Sequence, residues 1–374
     1  MFKYNISKHD FTSLSACNEV SWQNKMTDVG EAVKKYSTND FSEKLEEFKS
    51  HIIPASSVLI LTHDFPDPDC LASAFGISHL LSFWGIKTSV ISFGGFVGRA
   101  ENRAMIRFLN IQTVPYVLTE ISDFDRIVLV DCFPCRGNVS LPANAPVHAV
   151  IDHHPNDPSS ACPFFFDIRK EFGATSTIIT KYLLAAHCPI SPKLATALFY
   201  GIKTDTGDMR RAGVPDDLEC YKYLFDIMDH KQLSCIENPD RDIEYFKILH
   251  SAMLSAVSFD GIGYTHLGNV TTPDYIAEIA DLFHSLEKLE WMICSGIFKN
   301  QIFFSLRSKN ADTAGLFAEK IAMIFGGSGG GHSRVAAGRV PFAANDANKV
   351  LEKFEYTLKD VFNIINVPEK RLVI

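Results

Sequence analysis

Acidic and imidazole side chains recur along this chain in positions from which they could act together. His63, Asp67 and Asp69 lie in the string HDFPDPD, and Asp131 stands at the end of RIVLVD. Asp152, His153 and His154 follow VHAVI, and Asp205 sits in GIKTDTGD just after the apolar segment LATALFY. Taken singly, each has an ordinary structural reading. Asp69 fits the cap of a following helix, Asp131 and Asp205 fit turns, and a histidine at a strand end is often simply hydrogen-bonded. Taken together, four segments would bring carboxylates and imidazoles to one edge of a sheet, where they repel one another strongly at low dielectric. Divalent cations remove that conflict. Mixed carboxylate and imidazole donors suit a borderline ion such as manganese, whereas an all-oxygen site favours magnesium or calcium. This many donors fits two ions about 3.5 to 4 Å apart that share a bridging carboxylate, a pair that activates water for in-line attack on phosphorus.

The elements that must position these residues are legible as well. SVLILT, KTSVISF, RIVLVD and VHAVID are short runs rich in Val and Ile, and they read as buried strands. The stretch from Leu71 to Trp84 has helical periodicity and stops at Gly85, and ENRAMIRFLN reads as another helix. Continuous apolar strands alternating with helices predict an α/β domain with a parallel sheet covered on both faces. Such sheets bind ligands beyond the carboxyl ends of their strands, where these acids fall.

Residues 1–50 read as a helical N-terminal extension, 51–230 as the metal-binding domain, 231–242 as a linker around Asn238 to Asp240, and 243–374 as a smaller α/β domain. That last part contains the strands WMICSGIFK and QIFFSLRS, a helix from Thr313 to Phe325, the glycine-rich stretch GGSGGGH read as a loop, and a strand in SRVAAGRV. Glycines here let backbone N–H groups approach a phosphate closely, with Arg307 and His332 as further donors.

The composition excludes several classes. With 46% hydrophobic and 21% charged residues the chain is an ordinary globular one, and its net charge of -8 does not suit a protein that coats long nucleic acid. Nine scattered cysteines fit a reducing, cytoplasmic setting better than a disulfide framework. Cys132 and Cys135 have zinc-like spacing but no second pair, so no structural zinc is expected. Neither a secretory signal nor an apolar run of membrane-spanning length is apparent. A homodimer is compatible with the sequence, which marks no interface for one.

The order H-x-x-x-D-x-D, a lone Asp ending a strand, D-H-H and a further Asp resembles the DHH phosphoesterase superfamily, which includes RecJ-like exonucleases, nanoRNase and pAp phosphatases, and family II inorganic pyrophosphatases. FSLRS followed by GGSGGGHSRVAAG is similar to the DHH-associated C-terminal domain of the RecJ-like and nanoRNase branch. The resemblance implies that His63 and Asp67 bind one metal, that Asp69, His153 and Asp205 bind the other, and that Asp131 bridges them. His154 would face the substrate phosphate, with Asp152 orienting the histidines from behind. Arg307, Ser308, Gly329, Gly330, Gly331 and His332 would bind substrate on the second domain, across a cleft that closes on it.

The activity so implied is manganese-dependent hydrolysis of phosphate esters, magnesium being the other candidate ion. The expected substrates are short oligonucleotides, linear dinucleotides or bisphosphorylated nucleotides such as pAp. Cyclic dinucleotides and polyphosphate are alternatives within the same class, and a non-catalytic nucleotide-binding regulator is an alternative outside it. No metal position is broken, which weighs against the regulator.

Overall fold

The computed structural model describes residues 39–134, 136–155, 165–210, 214–332, 334–343 and 346–373. They divide into two compact units at Asn238 and Pro239, with residues 98–100 grouped with the second. Cys135, one half of the zinc-like pair, and residues 1–38 of the expected extension lie outside the described residues.

The first unit is built on a six-stranded, wholly parallel sheet: β1 (Ser57–Leu61), β2 (Thr88–Phe93), β3 (Thr113–Pro115), β4 (Arg126–Val130), β5 (Ala149–Asp152) and β6 (Phe165–Ile168), in spatial order β3-β2-β1-β4-β5-β6. β1 and β4 are buried at four of their five positions and β5 at all four, as strands covered on both faces must be. The strand order reverses between β1 and β4, so the crevice beyond their carboxyl ends is the topological switch point of the sheet. The chain leaves β1, β4 and β5 there with His63, Asp131 and His153 respectively.

Helices pack on this sheet: α1 (Asn39–Ile52), α2 (Pro68–Phe83), α3 (Ala100–Leu109), α4 (Thr175–Ala185), α5 (Pro192–Asp205), α6 (Pro215–Phe225) and α7 (His230–Glu237). Pro68 at the first turn of α2 and Pro192 at that of α5 sit where a missing N–H costs nothing. The described part of the expected extension is no appendage. Phe41, Leu45, Phe48 and Ile52, spaced at helical intervals along α1, are buried in the core of the unit. Arg169 fastens the helix further, donating to Asp40 (2.6 Å) and Asp167 (2.9 Å) with its guanidinium 3.9 Å from the centre of the Phe41 ring.

The second unit holds a seven-stranded mixed sheet with helices on both faces. Its elements are α8 (Ile243–Ser255), β7 (Val257–Phe259), β8 (Ile262–Asn269), α9 (Asp274–His284), β9 (Trp291–Phe298), β10 (Gln301–Ser308), α10 (Ala314–Met323), β11 (Ser328–His332), β12 (Val335–Pro341), α11 (Ala347–Val361) and β13 (Lys370–Arg371). The strand order is β11-β12-β10-β9-β8-β7-β13, with only β8 and β9 parallel. The glycine-rich stretch is therefore not the loop expected from its composition but an edge strand, paired through Gly329–Gly338 and Gly331–Ala336. Among the described residues no helix is long and apolar enough to cross a membrane.

Because Phe48 is wholly buried in α1, replacing it with Ala should destabilise the first unit by about 3 to 5 kcal/mol. Urea denaturation followed by circular dichroism checks this, and an unshifted midpoint would show that α1 lies outside the cooperative core.

Candidate metal centre

The loop after β1 is pinned from several sides. Asp64 donates its N–H to the Asn138 carbonyl (2.7 Å), and its carboxylate accepts from the N–H and hydroxyl of Ser140 (2.8 and 2.9 Å). Asn102 on α3 donates to the Pro66 carbonyl at 3.0 Å. Asp67 then caps α2, its carboxylate accepting from the Cys70 N–H at 3.0 Å. Asp69, which by position alone reads as the cap of α2, caps a different helix. Its two oxygens accept from the N–H groups of Thr175 (2.7 Å) and Ser176 (2.8 Å) at the start of α4, where the helix dipole favours a carboxylate.

Asp131 leaves β4 with a φ of 59°, a left-handed conformation that non-glycine residues adopt at a cost and that collects at functional sites. Its N–H donates to the Ile151 carbonyl (2.9 Å), and its Oδ1 accepts from the Thr175 hydroxyl (2.7 Å). The carboxylate is nearly buried and faces two ways. Oδ2 lies 3.8 Å from His63 Nε2, and Oδ1 lies 3.5 Å from His153 Nε2.

Donor atoms gather on both sides of that carboxylate, and Asp131 also groups with His153 and His154, whose Nδ1 lies 3.7 Å from Asp131 Oδ1. On one side His63 Nε2 is 3.5 Å from Asp67 Oδ2, and the donor atoms of His63, Asp67, Cys70 and Asp131 all lie within 4.8 Å of one another. On the other, Asp69, His153 and Asp205 converge within the same limit, with His153 Nε2 3.2 Å from Asp205 Oδ2. Asp205 reaches this group from the last turn of α5 rather than from the edge of the sheet, which corrects the sequence expectation that all four segments share one sheet edge. Gly201 makes the approach possible, since a Cβ there would sit 2.3 Å from the Ser176 hydroxyl and 3.1 Å from Asp69 Oδ1.

The imidazoles carry the clearest chemical signal. His63 Nδ1 lies 2.9 Å from the Asp64 carbonyl and His153 Nδ1 lies 3.1 Å from that of Phe172, so these bonds assign the N–H to Nδ1 in both rings. Each Nε2 then turns a lone pair toward carboxylate oxygens. His153 Nε2 is fully buried and has no hydrogen-bond partner among the described residues. A lone pair aimed at anions is repelled unless a proton or a metal ion lies between, and metal-ligating histidines are ordinarily held by the other nitrogen in just this way. The donor set therefore fits divalent cations.

The same conflict governs the protons. Burial, and then the charge of Asp205, pushes the Asp69 carboxyl up to about 7. Burial and the neighbouring Asp69 raise Asp131 in the same direction. Burial works against a charged His153, yet Asp205, Asp131 and Asp69 push that ring up to about 11. Burial also opposes the shift at Asp67, but the His63 ring beside it holds that carboxyl below its ordinary range.

His154 is oriented separately. Its backbone N–H (3.0 Å) and Nδ1 (2.9 Å) both meet Asp152 Oδ1, and its ring centre is 4.3 Å from that of His153. Asp152 thus bonds to His154, whereas His153 is fixed by the Phe172 carbonyl rather than by that acid. The buried Asp217 holds the turn before α4, accepting from the N–H of Gly173 (2.9 Å), the N–H of Val214 (2.9 Å) and the Thr177 hydroxyl (2.6 Å).

Sequence reasoning passed over Cys70, Thr175 and Asp217. The run TSTIIT was the available signal for Thr175, being a hydroxyl-rich helix start after glycine.

In the second unit Arg307 and Ser308 are buried. Arg307 pairs with Asp281 and donates to the Ser305 hydroxyl (2.7 Å) and the Leu306 carbonyl (3.0 Å). Ser308 Oγ accepts from the Ala311 N–H at 2.8 Å. A Cβ at Gly329 would lie 2.5 Å from the Ala318 carbonyl oxygen and one at Gly331 2.3 Å from that of Val335, while Gly330 opens onto free space. The side chain of His332 lies outside the described residues.

Comparison with known proteins places the chain. The model of the DHH family, N-terminal domain, matches residues 57–202, and that of the DHHA1 domain matches residues 259–360. An uncharacterized protein of Methanocaldococcus jannaschii is 32% identical over 335 residues, covering 88% of this chain and 67% of its own. A manganese-dependent inorganic pyrophosphatase of Methanothrix thermoacetophila is 28% identical over 153 residues, 41% of this chain and 48% of that protein. The chain thus spans about two thirds of the first relative and about half of the second. An exopolyphosphatase-related protein from Bacteroides fragilis shares the fold, with a TM-score of 0.66 at 16% identity over 86% of this chain and 98% of its own. Two family models matching in order along the chain establish that it belongs to the DHH phosphoesterase superfamily.

Proposed function

We propose that this chain is a phosphoesterase dependent on two divalent ions, with Mn2+ ahead of Mg2+. Its proposed substrates are the phosphate ester bonds of short oligonucleotides, linear dinucleotides or bisphosphorylated nucleotides such as pAp. The observation that carries the reading is the pair of imidazole lone pairs, at His63 Nε2 and His153 Nε2, aimed from opposite sides at the Asp131 carboxylate. His63 and Asp67 would hold one ion, Asp69, His153 and Asp205 the other, and Asp131 both.

When bound, such ions supply an activated water and neutralise charge that develops on phosphoryl oxygens. The chain's own groups do the positioning. Asp152 fixes the His154 ring to meet the substrate phosphate, and the Thr175 hydroxyl fixes the direction of the Asp131 carboxylate. In the second unit the edge strand β11 supports phosphate recognition, because an edge leaves backbone N–H groups outside the ladder and the exposed Gly330 presents no side chain. The match to a DHHA1 domain supports nucleotides over pyrophosphate, and the chain's acidic balance supports small nucleotides over long strands. The name of the Methanothrix thermoacetophila relative supports manganese.

A panel of di- to decanucleotides, pAp, cyclic dinucleotides and polyphosphate, run with Mn2+, Mg2+ and no added ion, tests the substrate class. Short linear oligonucleotides or pAp should turn over fastest with Mn2+, and exclusive cleavage of polyphosphate would overturn the assignment. Asp131→Ala should lower the rate by more than about a hundredfold, the upper end of what losing a residue merely behind a metal ligand costs. An undiminished rate would remove Asp131 from the mechanism.

Proton linkage gives a second test. Asp69 is raised from 3.8 to about 7 and His153 from 6.5 to about 11 in the ion-free protein. Each contributes stability that is full below its ordinary value and lost as pH rises through its folded value. The lowered Asp67 contributes stability above its ordinary value, and that contribution is constant near neutrality. The ion-free protein should therefore weaken between about pH 5.5 and pH 8 while its ligands gain readiness for a cation. The rise in Tm on saturation with Mn2+ should be larger at the higher pH by several degrees, and an equal or smaller rise would contradict the proposed ligand set.

A further inference from the structure

One donor at the centre is not an oxygen or a nitrogen. Cys70 lies on the first turn of α2, three residues beyond the Asp67 cap, and is wholly buried. Its thiol donates to the Asp67 carbonyl at 3.3 Å. Its Sγ belongs to the donor group of His63, Asp67 and Asp131, in which all four ligand atoms lie within 4.8 Å of one another. The thiol is thus not an isolated core cysteine. It approaches from the helix, while His63 arrives from the end of β1 and Asp131 from the end of β4. The second donor group, Asp69, His153 and Asp205, contains only nitrogen and oxygen.

We propose that Cys70 is the fourth ligand of the His63, Asp67 and Asp131 subsite, so that the two subsites differ in softness and the sulfur-bearing one prefers a borderline-soft ion such as Co2+ or Zn2+. This rests on the metal-centre reading above and adds a selectivity to it. Thiolate ligands select zinc-like ions, whereas carboxylate and imidazole alone tolerate manganese and magnesium. Coordination involves no redox change: the sulfur–metal bond forms as the S–H bond breaks, and the proton passes to solvent. The ion in the nitrogen and oxygen subsite can remain Mn2+, which makes the centre asymmetric in occupancy as well as in donors.

Titration of the full chain with Co2+ separates the two claims. Ligand-field absorption reports cobalt in the centre, and near-ultraviolet charge transfer reports a thiolate bound to it. The wild-type protein should show both. Cys70→Ala and Cys70→Ser should keep the ligand-field absorption and lose the charge transfer. Their preference for Zn2+ over Mn2+ in competition dialysis should fall by about tenfold or more, since losing even a partner of a ligand costs that much. The serine variant is nearly isosteric and keeps the test available if the alanine variant does not fold, which circular dichroism reports. Charge transfer that persists in either folded variant, or is absent from cobalt-loaded wild type, overturns the role of Cys70 and leaves the metal centre standing. A wild-type protein that takes up no cobalt overturns the metal centre and this inference with it.

Discussion

Two imidazole lone pairs facing a buried carboxylate form an arrangement that protein atoms alone leave unbalanced. Four acids and three histidines converge there, most of them beyond the end of one sheet and Asp205 from a helix, with His153 Nε2 shielded from water and lacking a hydrogen-bond partner among the described residues. Protons can relieve the repulsion, which is why Asp69 and His153 move so far from their ordinary values. A cation relieves it more completely. Much of the first unit can be understood as the apparatus that keeps these groups converged. The strand order sets β1, β4 and β5 side by side, and Asp131 is held in a backbone conformation that a residue free to relax would leave.

Helix capping and metal binding draw on the same atoms. Asp67 ends α2 and Asp69 ends α4, yet both carboxylates also face the donor cluster. An N–H donor takes one lone pair of a carboxylate oxygen and leaves another for a second partner. The cap thereby fixes the direction in which the remaining lone pairs point. α5 completes the arrangement by lying close to α4 at Gly201, where an added Cβ would collide with the Ser176 hydroxyl and crowd the Asp69 carboxylate. Loss of one of these acids therefore disturbs a helix end as well as a ligand, and activity alone does not separate the two effects. The same logic explains Asp217, which touches no donor of the cluster in the bonds described but holds the turn that presents Thr175.

Most of this architecture was legible in the residues. The Val- and Ile-rich runs gave β1, β2, β4 and β5, and the order of the acid and histidine motifs pointed to the superfamily. β3 and β7 were not legible, because a three-residue strand carries too few positions for a period to appear, and β6 was not, because FFDI lacks the Val- and Ile-rich run that marks β5. The helix 39–52 looks like a charged extension in sequence because its four apolar core residues are well spaced and diluted by lysine and glutamate. Only their burial against the rest of the unit identifies them as core. Asp69 was ambiguous between cap and ligand since sequence cannot tell which helix a carboxylate will meet, and the answer came from an element more than a hundred residues away. Cys70 was invisible for a related reason. A single cysteine in an apolar helix reads as packing until three other donors are seen around it.

The second unit shows how far composition can mislead about a glycine-rich stretch. Of the three central glycines, Gly329 is required by the approach of β11 to α10, and Gly331 by its own antiparallel partner β12. Neither needs a ligand to explain it. Arg307 is likewise accounted for by Asp281 and by the carbonyl and hydroxyl it meets, and as it stands it is a buried structural cation. Gly330 alone exceeds what packing demands, since a side chain there would meet nothing. A phosphate-binding role for this edge therefore draws its support from one open glycine and the unpaired face of an edge strand, not from the richness of the glycine run. The contrast with the first unit is instructive. There Asp67 and Asp69 cap helices and belong to the donor cluster at once, and mutual repulsion makes that cluster costly to keep unless a proton or a cation lies among its members.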